Sequence, residues 1–335
     1  CQKMNWKNLI KNRKINIESV LNLNEPDPEI CNYVNNPIHL PHCRTFYNYT
    51  KYYKYTKHHL STIAAGDHSM ALKDDGTVVP WGSNEYDQLN VPADLNNVVS
   101  IAAGSLHSMA LKNDGTVRVW GSHRDPPAGL NNVVAIAAGS LHSMALKNDG
   151  TVVVWGSNVW GQRPMNAGAL NNVVAIAAGE QHSMALKNDG TIRTWGSNVY
   201  DRRDVPSGLN NVVSIAAGEQ HSMALQNDGT VIIWGSNDYG QRDGIPDDLN
   251  NVVSIAAGSH HSMVLKNDGT VRVWGSTGFP LNIEGLIPAN LNNIVSIAAG
   301  RNFSMILQNN GTVRVWGRND EGQRDVPADL IARVP

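Results

Sequence analysis

Six histidines recur at nearly even intervals along the chain: His68, His107, His142, His182, His221 and His261. Regularly spaced histidine suggests metal ligation or general acid–base chemistry. The period argues against both. Equivalent side chains on stacked repeating elements stand roughly 10 Å apart, whereas zinc needs imidazole nitrogens at ~2 Å. Phe303 fills the seventh equivalent position, so the pattern does not require an unbroken polar ring. The histidines are therefore expected to be structural, each bonded to backbone within its own repeat.

Three other groups of residues invite chemistry. An Asp recurs in Asn-Asp-Gly triplets such as Asn113-Asp114-Gly115, but one carboxylate per repeat, dictated by turn geometry, forms no close acid–base pair. Near the N-terminus, Cys31, His39, His42 and Cys43 offer four zinc ligands. Their spacing matches no common zinc module, and a Cys31–Cys43 disulfide is the rival in an oxidising compartment. The stretch RTFYNYTKYYKYTK (44–57) interleaves basic and aromatic residues as single-strand nucleic-acid binders do. Its tyrosines also share one face at period two, as in an amphipathic strand that docks on an acidic domain, and this reading is preferred to nucleic acid. No nucleophile elbow, phosphate loop, HExxH or calcium loop is present. The expectation is a protein without catalytic residues, cofactor or metal.

The elements that carry these residues are repeats. IAAG begins at Ile63, Ile101, Ile136, Ile176, Ile215, Ile255 and Ile297, at spacings of 38, 35, 40, 39, 40 and 42 residues. Such a period marks a solenoid or a propeller. Each unit reads as a β-branched run (NVVSIAAG), an alternating run (HSMALK), an Asn-Asp-Gly turn in which Asp and Gly both tolerate positive φ, and a return strand (TVRVWG). A polar loop and a short RDVP-like piece complete the unit as a fourth strand. Seven such units predict an all-β seven-bladed propeller over 61–335. Its small Ala-Ala-Gly strands would lie at the axis, and Trp81, Trp120, Trp155, Trp195, Trp234, Trp274 and Trp316 would fill the gaps between blades. Pro80 places its strand at a blade's outer edge. The final ADLIARVP mimics the lead-in to an inner strand, so the C-terminus is expected to close the ring beside blade one.

Residues 1–60 differ in texture from the repeats. They hold nine Lys and Arg against four Asp and Glu, a net of +5, with all three cysteines and six of nine tyrosines. Subtraction from 27 and 29 leaves 18 basic and 25 acidic residues in 61–335, a net of −7. A boundary is read near Leu60, with a basic extension before it. No apolar run is long enough to be a membrane helix. The chain starts on Cys1, which reads as a trimmed edge, with a lipidated N-terminal cysteine as the alternative. The compartment is left open, an extracellular or cell-envelope setting standing ahead of a cytoplasmic one, and a monomer is expected.

The pattern GxxHSMALKNDGTVxVWGSNxxGQ resembles the repeat of the regulator of chromosome condensation family. Its VPA–x–L–NNVV–x–IAAG linkers are similar to the short-repeat bacterial branch, which includes the propeller-type β-lactamase inhibitors. The resemblance spans about residues 61–335 and implies a propeller. It implies either an inhibitor-like binding module or, after the founding member, guanine-nucleotide exchange on a Ran-like GTPase. The founding member uses an inserted wedge, and the longest spacing here leaves little room for one.

Strand parity locates the places where the repeats disagree. Loops after the first and third strands emerge on one face, and those after the second and fourth on the other. The second face is uniform, with Asn-Asp-Gly turns and Leu-Asn-Asn linkers. The first varies: after IAAG come pairs containing Leu106, Leu141, Glu180, Glu219, His260 and Arg301, and after WG come loops bearing Tyr86, Arg124, Trp160, Tyr200, Tyr239, Phe279 and Glu321. Exposed aromatics and arginines on a rigid scaffold are typical anchors for a protein partner. The candidate partner-binding residues are thus Tyr86, Arg124, Trp160, Tyr200, Tyr239, Phe279, Leu106, Leu141, His260 and Arg301. They serve a protein partner that the sequence does not identify.

Overall fold

Seven three-stranded antiparallel sheets follow one another along the chain. The computed structural model describes residues 60–122, 125–164, 170–247, 249–276, 287–288 and 291–335. Blade one contains β1 (Ile63–Ala65), β2 (His68–Leu72) and β3 (Val78–Gly82). Blade two contains β4 (Val98–Ala103), β5 (His107–Lys112) and β6 (Val117–Gly121). The pattern continues to blade seven, with β19 (Ile294–Ala299), β20 (Phe303–Gln308) and β21 (Val313–Gly317). Among the described residues the only helical turn is Val199–Asp201, and no helix is long and apolar enough to cross a membrane.

The expected fourth strand does not form among the described residues. The segment after β3 folds back through turn bonds, Asn90 N–H to Asp87 O at 3.0 Å and Val91 N–H to Leu89 O at 2.9 Å, instead of ladder bonds. Pro92 then follows, and proline has no N–H to offer a neighbouring strand. The third strand is therefore the outer edge of each sheet, which accommodates Pro80 opposite Met70.

The central strand HSMALK explains how blades stack. Its period of two sends His107, Met109 and Leu111 to one side and Ser108 and Ala110 to the other. Met109 and Leu111 pack with Val133, Ala145 and Trp155 of the next blade. Ala110 packs with Met70 and Leu72 of the preceding one. The same packing recurs at every junction, with Val264 and Ile306 in place of Ala in blades six and seven, so there are seven cores, and each lies between two blades. The seventh joins the ends: Phe303, Met305 and Leu307 pack against Ile63, Ala71 and Trp81 with Leu330 and Ala332. The C-terminal segment lies in line with β1, which has three residues where the inner strands of the other blades have six. Arg333 N–H donates to Leu72 O at 2.7 Å, on the side of β2 where Leu72 N–H donates to Thr62 O. This is the closure expected from ADLIARVP.

The Ala-Ala-Gly strands do crowd the axis. A Cβ placed on Gly139 would come within 2.5 Å of Gly179 O on the next blade and 2.3 Å of the His142 ring. The cavity they enclose is about 80 Å³, well below the ~300 Å³ at which small-molecule pockets begin.

The Asn-Asp-Gly turns depart from expectation in one respect. Gly115 has φ of 78°, but Asp114 is not left-handed. The Asp acts as an acceptor instead: its Oδ1 receives Thr116 N–H at 2.9 Å. Lys112 N–H also bonds Thr116 O at 2.9 Å, closing a turn that ends in one left-handed glycine.

Candidate functional site

Two side-chain amides fold the loop that follows the third strand in blades one, three, five and seven. In blade one Asn84 Oδ1 accepts Leu89 N–H at 2.9 Å, and Gln88 Oε1 accepts Tyr86 N–H at 2.8 Å. Asn158 and Gln162 do the same for Arg163 and Trp160, and Asn237 and Gln241 for Arg242 and Tyr239. In blade seven the clamped residue is Glu321. The amides satisfy the loop from inside, and the residue between them points outward.

The repeated histidines hold these loops in place. Ser108 Oγ–H donates to Gln88 O at 2.8 Å, and Trp120 Nε1–H donates to the same carbonyl at 2.9 Å. The serine's one hydrogen is then committed, so His68 Nε2–H is the donor in its 2.6 Å contact with Ser108 Oγ. The histidines thus bond a serine of the next blade, not backbone of their own, because their side of the strand faces that blade. The relay recurs from His221 through Ser262 to Gln241 O and from His142 through Ser183 to Gln162 O. Burial pushes His68, His142, His221 and His261 down to about 3 and His182 well below its usual range. Their Nδ1 atoms are buried without a partner. Such rings are neutral struts. Among the described residues no cluster of three or more His, Cys, Asp or Glu is placed to hold a metal.

Blade four breaks the rule. Arg202 stands where other blades have Gln and cannot accept a hydrogen bond, and Tyr200 turns left-handed at φ 66°. The Arg202 carbonyl still receives Ser222 Oγ–H and Trp234 Nε1–H. Its guanidinium is spent inside, on Ser197 O and Gln181 Oε1.

The register His68↔Gly82 places the ends of the first and third strands together, as parity requires. Tyr86, Leu141, Trp160, Tyr200 and Tyr239 are all exposed there, Trp160 by 50%. Arg301 is exposed at the channel rim and pairs with Asp67 at 3.4 Å. Leu106 is half-buried, and its carbonyl accepts Ser122 N–H. His260 is also half-buried, its ring 4.2 Å from that of Tyr239 and tilted by 50°. Arg124 and Phe279 lie outside the described residues, as do the cysteines, histidines and tyrosines of residues 1–59.

Sequence reasoning missed two features of this face. Val159, 81% exposed, and Val199, 51% exposed, extend the apolar surface beside Trp160 and Tyr200. Valine in a turn that elsewhere carries Asp or Glu was the available signal. The second feature is the rim of the channel, where Asp67, Glu180, Glu219 and Arg301 follow the Ala-Gly steps. Burial and the like charge of Glu219 push Glu180 up to about 7, against the opposing pull of Arg301 and Arg202. Burial also raises Asp67. The Glu pair was legible as IAAGEQ in two successive repeats.

The regulator of chromosome condensation (RCC1) repeat model matches residues 98–125, 133–162, 173–202, 212–241, 252–279 and 294–323. The chain belongs to the RCC1 repeat family. Each RCC1 match runs from an inner strand to the loop of the same blade, so the family's unit coincides with the unit of the fold. Blade one has the same strands without a match. The RCC1 propeller is similar in structure to Prp20p of Saccharomyces cerevisiae: TM-score 0.64, 21% identity, covering 85% of this chain and 88% of that one. The ectodomain of the Physcomitrella patens receptor kinase CR4 gives TM-score 0.64 and 23% identity, covering 79% and 74%. Human WBSCR16 gives TM-score 0.56 and 20% identity, covering 76% and 82%. At these identities the likeness is one of fold. No curated protein matches the chain in sequence.

Proposed function

We propose that the propeller is a non-catalytic protein-binding module that seats its partner on the loop face. One observation carries this reading. Tyr86, Trp160, Tyr200 and Tyr239 are exposed at equivalent positions, in loops whose hydrogen bonds come from other side chains. Nothing in the fold needs an aromatic there, and aromatics on a rigid frame are the side chains that contribute most to protein interfaces. An inhibitor-like role within the family fits the same surface. Guanine-nucleotide exchange is the alternative that the family offers, and Prp20p has been studied for its binding to Gsp1p and histones. A nucleotide-release assay on a small GTPase separates the two, since a pure binder leaves the release rate unchanged.

The direct test replaces Tyr86, Trp160, Tyr200 and Tyr239 together with Ala. The melting temperature is expected to stay nearly unchanged, because surface changes seldom exceed ~0.5 kcal/mol, while capture of the native partner is lost. Alanine at Asn96, Asn171 and Asn250 on the opposite face is expected to spare capture. A four-alanine protein that unfolds, or that still captures its partner, overturns the reading.

A further inference from the structure

We infer that the partner seated on this face presents a basic segment, and that one of its lysine or arginine side chains enters the channel rim between Glu180 and Glu219 while flanking apolar residues rest on Trp160, Tyr200 and Tyr239. This deepens the reading above and rests on it.

Among the described residues the apolar part of the face is concentrated in one sector. Val159 and Trp160 of blade three, Val199 and Tyr200 of blade four, and Tyr239 of blade five stand on successive loops. Glu180 and Glu219 belong to blades four and five, at the inner end of the same sector. Two of the cations nearby are turned inward. Arg202 is almost wholly buried and bonds Ser197 O and Gln181 Oε1, and Arg203 donates to Gly196 O. Arg242 is paired with Asp243, and Arg301 lies against Asp67. The loops after the first and third strands of blades three to five hold six carboxylates (Glu180, Asp201, Asp204, Glu219, Asp238 and Asp243) against four arginines (163, 202, 203 and 242). Three of those four guanidiniums, those of Arg202, Arg203 and Arg242, donate to backbone carbonyls. The exposed charge that an arriving surface meets is therefore negative.

Within this field Glu180 and Glu219 stand on neighbouring blades at the same rim, where burial and the like charge of Glu219 favour a proton on Glu180. Arg202 lies beneath them but spends its guanidinium on neutral acceptors. Arg301 is the other cation facing Glu180, while Glu219, Arg301 and Asp238 all act on His260. A cation from outside replaces that proton, relieves the like-charge repulsion and is solvated by both carboxylates. Aliphatic or aromatic neighbours of that cation then bury against the tyrosine and tryptophan rings, which also favour cations over their faces. A small-molecule amine lacks these neighbours, so the site suits a polypeptide.

The test uses the whole chain as target and a phage library of random 12-residue peptides as probe. Selected peptides are expected to carry Lys or Arg beside apolar residues. In the leading peptide, replacing that Lys with norleucine is expected to weaken binding at least ten-fold, as is the double variant Glu180→Gln, Glu219→Gln in the protein. Affinity is expected to rise about ten-fold from pH 6 to pH 8, as a carboxyl near 7 loses its proton. Melting curves of the Gln variant verify folding, and relief of like charge means it melts no lower than the parent at pH 8. Peptides without basic residues, or peptides that bind the Gln variant equally well, overturn this inference. If those peptides still need Trp160, Tyr200 and Tyr239, the protein-binding face itself stands. A selection whose peptides depend on neither set overturns both.

Discussion

The two faces of the disc are capped from the same strands and obey opposite rules. On the turn face the side chains that would be free to vary are the ones that make the turn. Asp114, Asp149, Asp189 and Asp268 each receive the N–H of the Thr two residues on, at 2.9 or 3.0 Å. Asn97, Asn132, Asn172, Asn211, Asn251 and Asn293 are all left-handed, a conformation that Asn tolerates better than other non-glycine residues. Only a close substitute keeps the geometry, as Asn310 does in blade seven by accepting Thr312 N–H at 3.0 Å. On the loop face the geometry is made by Asn84 and Gln88 and their equivalents, the glutamines buried, so the residue between them is released. A surface becomes available for recognition when something beneath it holds the backbone.

What lies beneath is the belt of His, Ser and Trp, and the sharpest way to break the comparison is to charge it. Burial holds His68, His142, His221 and His261 at about 3 in the folded protein and His182 well below its usual range, whereas unfolded histidine titrates near 6.5. Below pH 6.5 the unfolded chain therefore binds more protons than the folded one, and stability falls with pH. Each histidine contributes about 1.4 kcal/mol per pH unit once fully protonated when unfolded, so five contribute up to ~7. Two or three units of acidification offset the ~5–15 kcal/mol that keeps most domains folded. Glu180 and Asp67 are raised and act in the opposite sense, but they are two against five. Denaturant midpoints are expected to be flat from pH 8 to 7 and to drop steeply between 6 and 5. A flat profile down to pH 5 would mean that the belt is hydrated and is not what holds the loops.

Much of this belt was half legible in the sequence. Period and turn chemistry were enough for seven blades, for parity and for closure by residues 330–333, because each depends only on local pattern and chain direction. The role of His68 was not legible, because its partner Ser108 sits 40 residues away and is identified only by which side of a strand faces which blade. The fourth strand was overcalled because VP after a polar loop reads as extended while its hydrogen bonds go to turns. Tyr86, Trp160 and Tyr239 were legible as exposed; that Gln88, Gln162 and Gln241 hold them was not, since a glutamine in a polar loop gives no sign of being buried.

Tryptophan sharpens the comparison next. Trp234 is 5% exposed, lies between blades four and five, and donates to Arg202 O at 2.9 Å. Trp234→Ala is expected to cost ~3–5 kcal/mol, on the scale of other large core truncations. Trp195 occupies the same place one junction earlier but is only half-buried, so Trp195→Ala is expected to cost measurably less. Equal losses, or a loss below about 1 kcal/mol at Trp234, would show that the junctions do not carry the stability. Chemical denaturation of the two variants decides it.

The smallest effect separates what folds a loop from what the loop displays. The residue after each aromatic is left-handed: Gly161 at φ 73°, Gly240 at 74°, and Asp87 at 61°. Asp87→Gly removes the Cβ strain of that conformation, adds freedom to the unfolded chain and loses the 2.8 Å bond from Asn90 Nδ2 to Asp87 Oδ1. These terms oppose one another within a few tenths of a kcal/mol, so stability is expected to move by no more than ~0.5. Gln88→Ala differs in kind. It leaves the carbonyl that Trp120 and Ser108 need but strips Tyr86 N–H of its acceptor, with an expected cost of ~1 kcal/mol and a loosened Tyr86. Partner capture should therefore survive Asp87→Gly and weaken with Gln88→Ala, although Asp87 is the one on the surface. The reverse order would mean that the outward residues shape the loop, and the two faces would then follow a single rule.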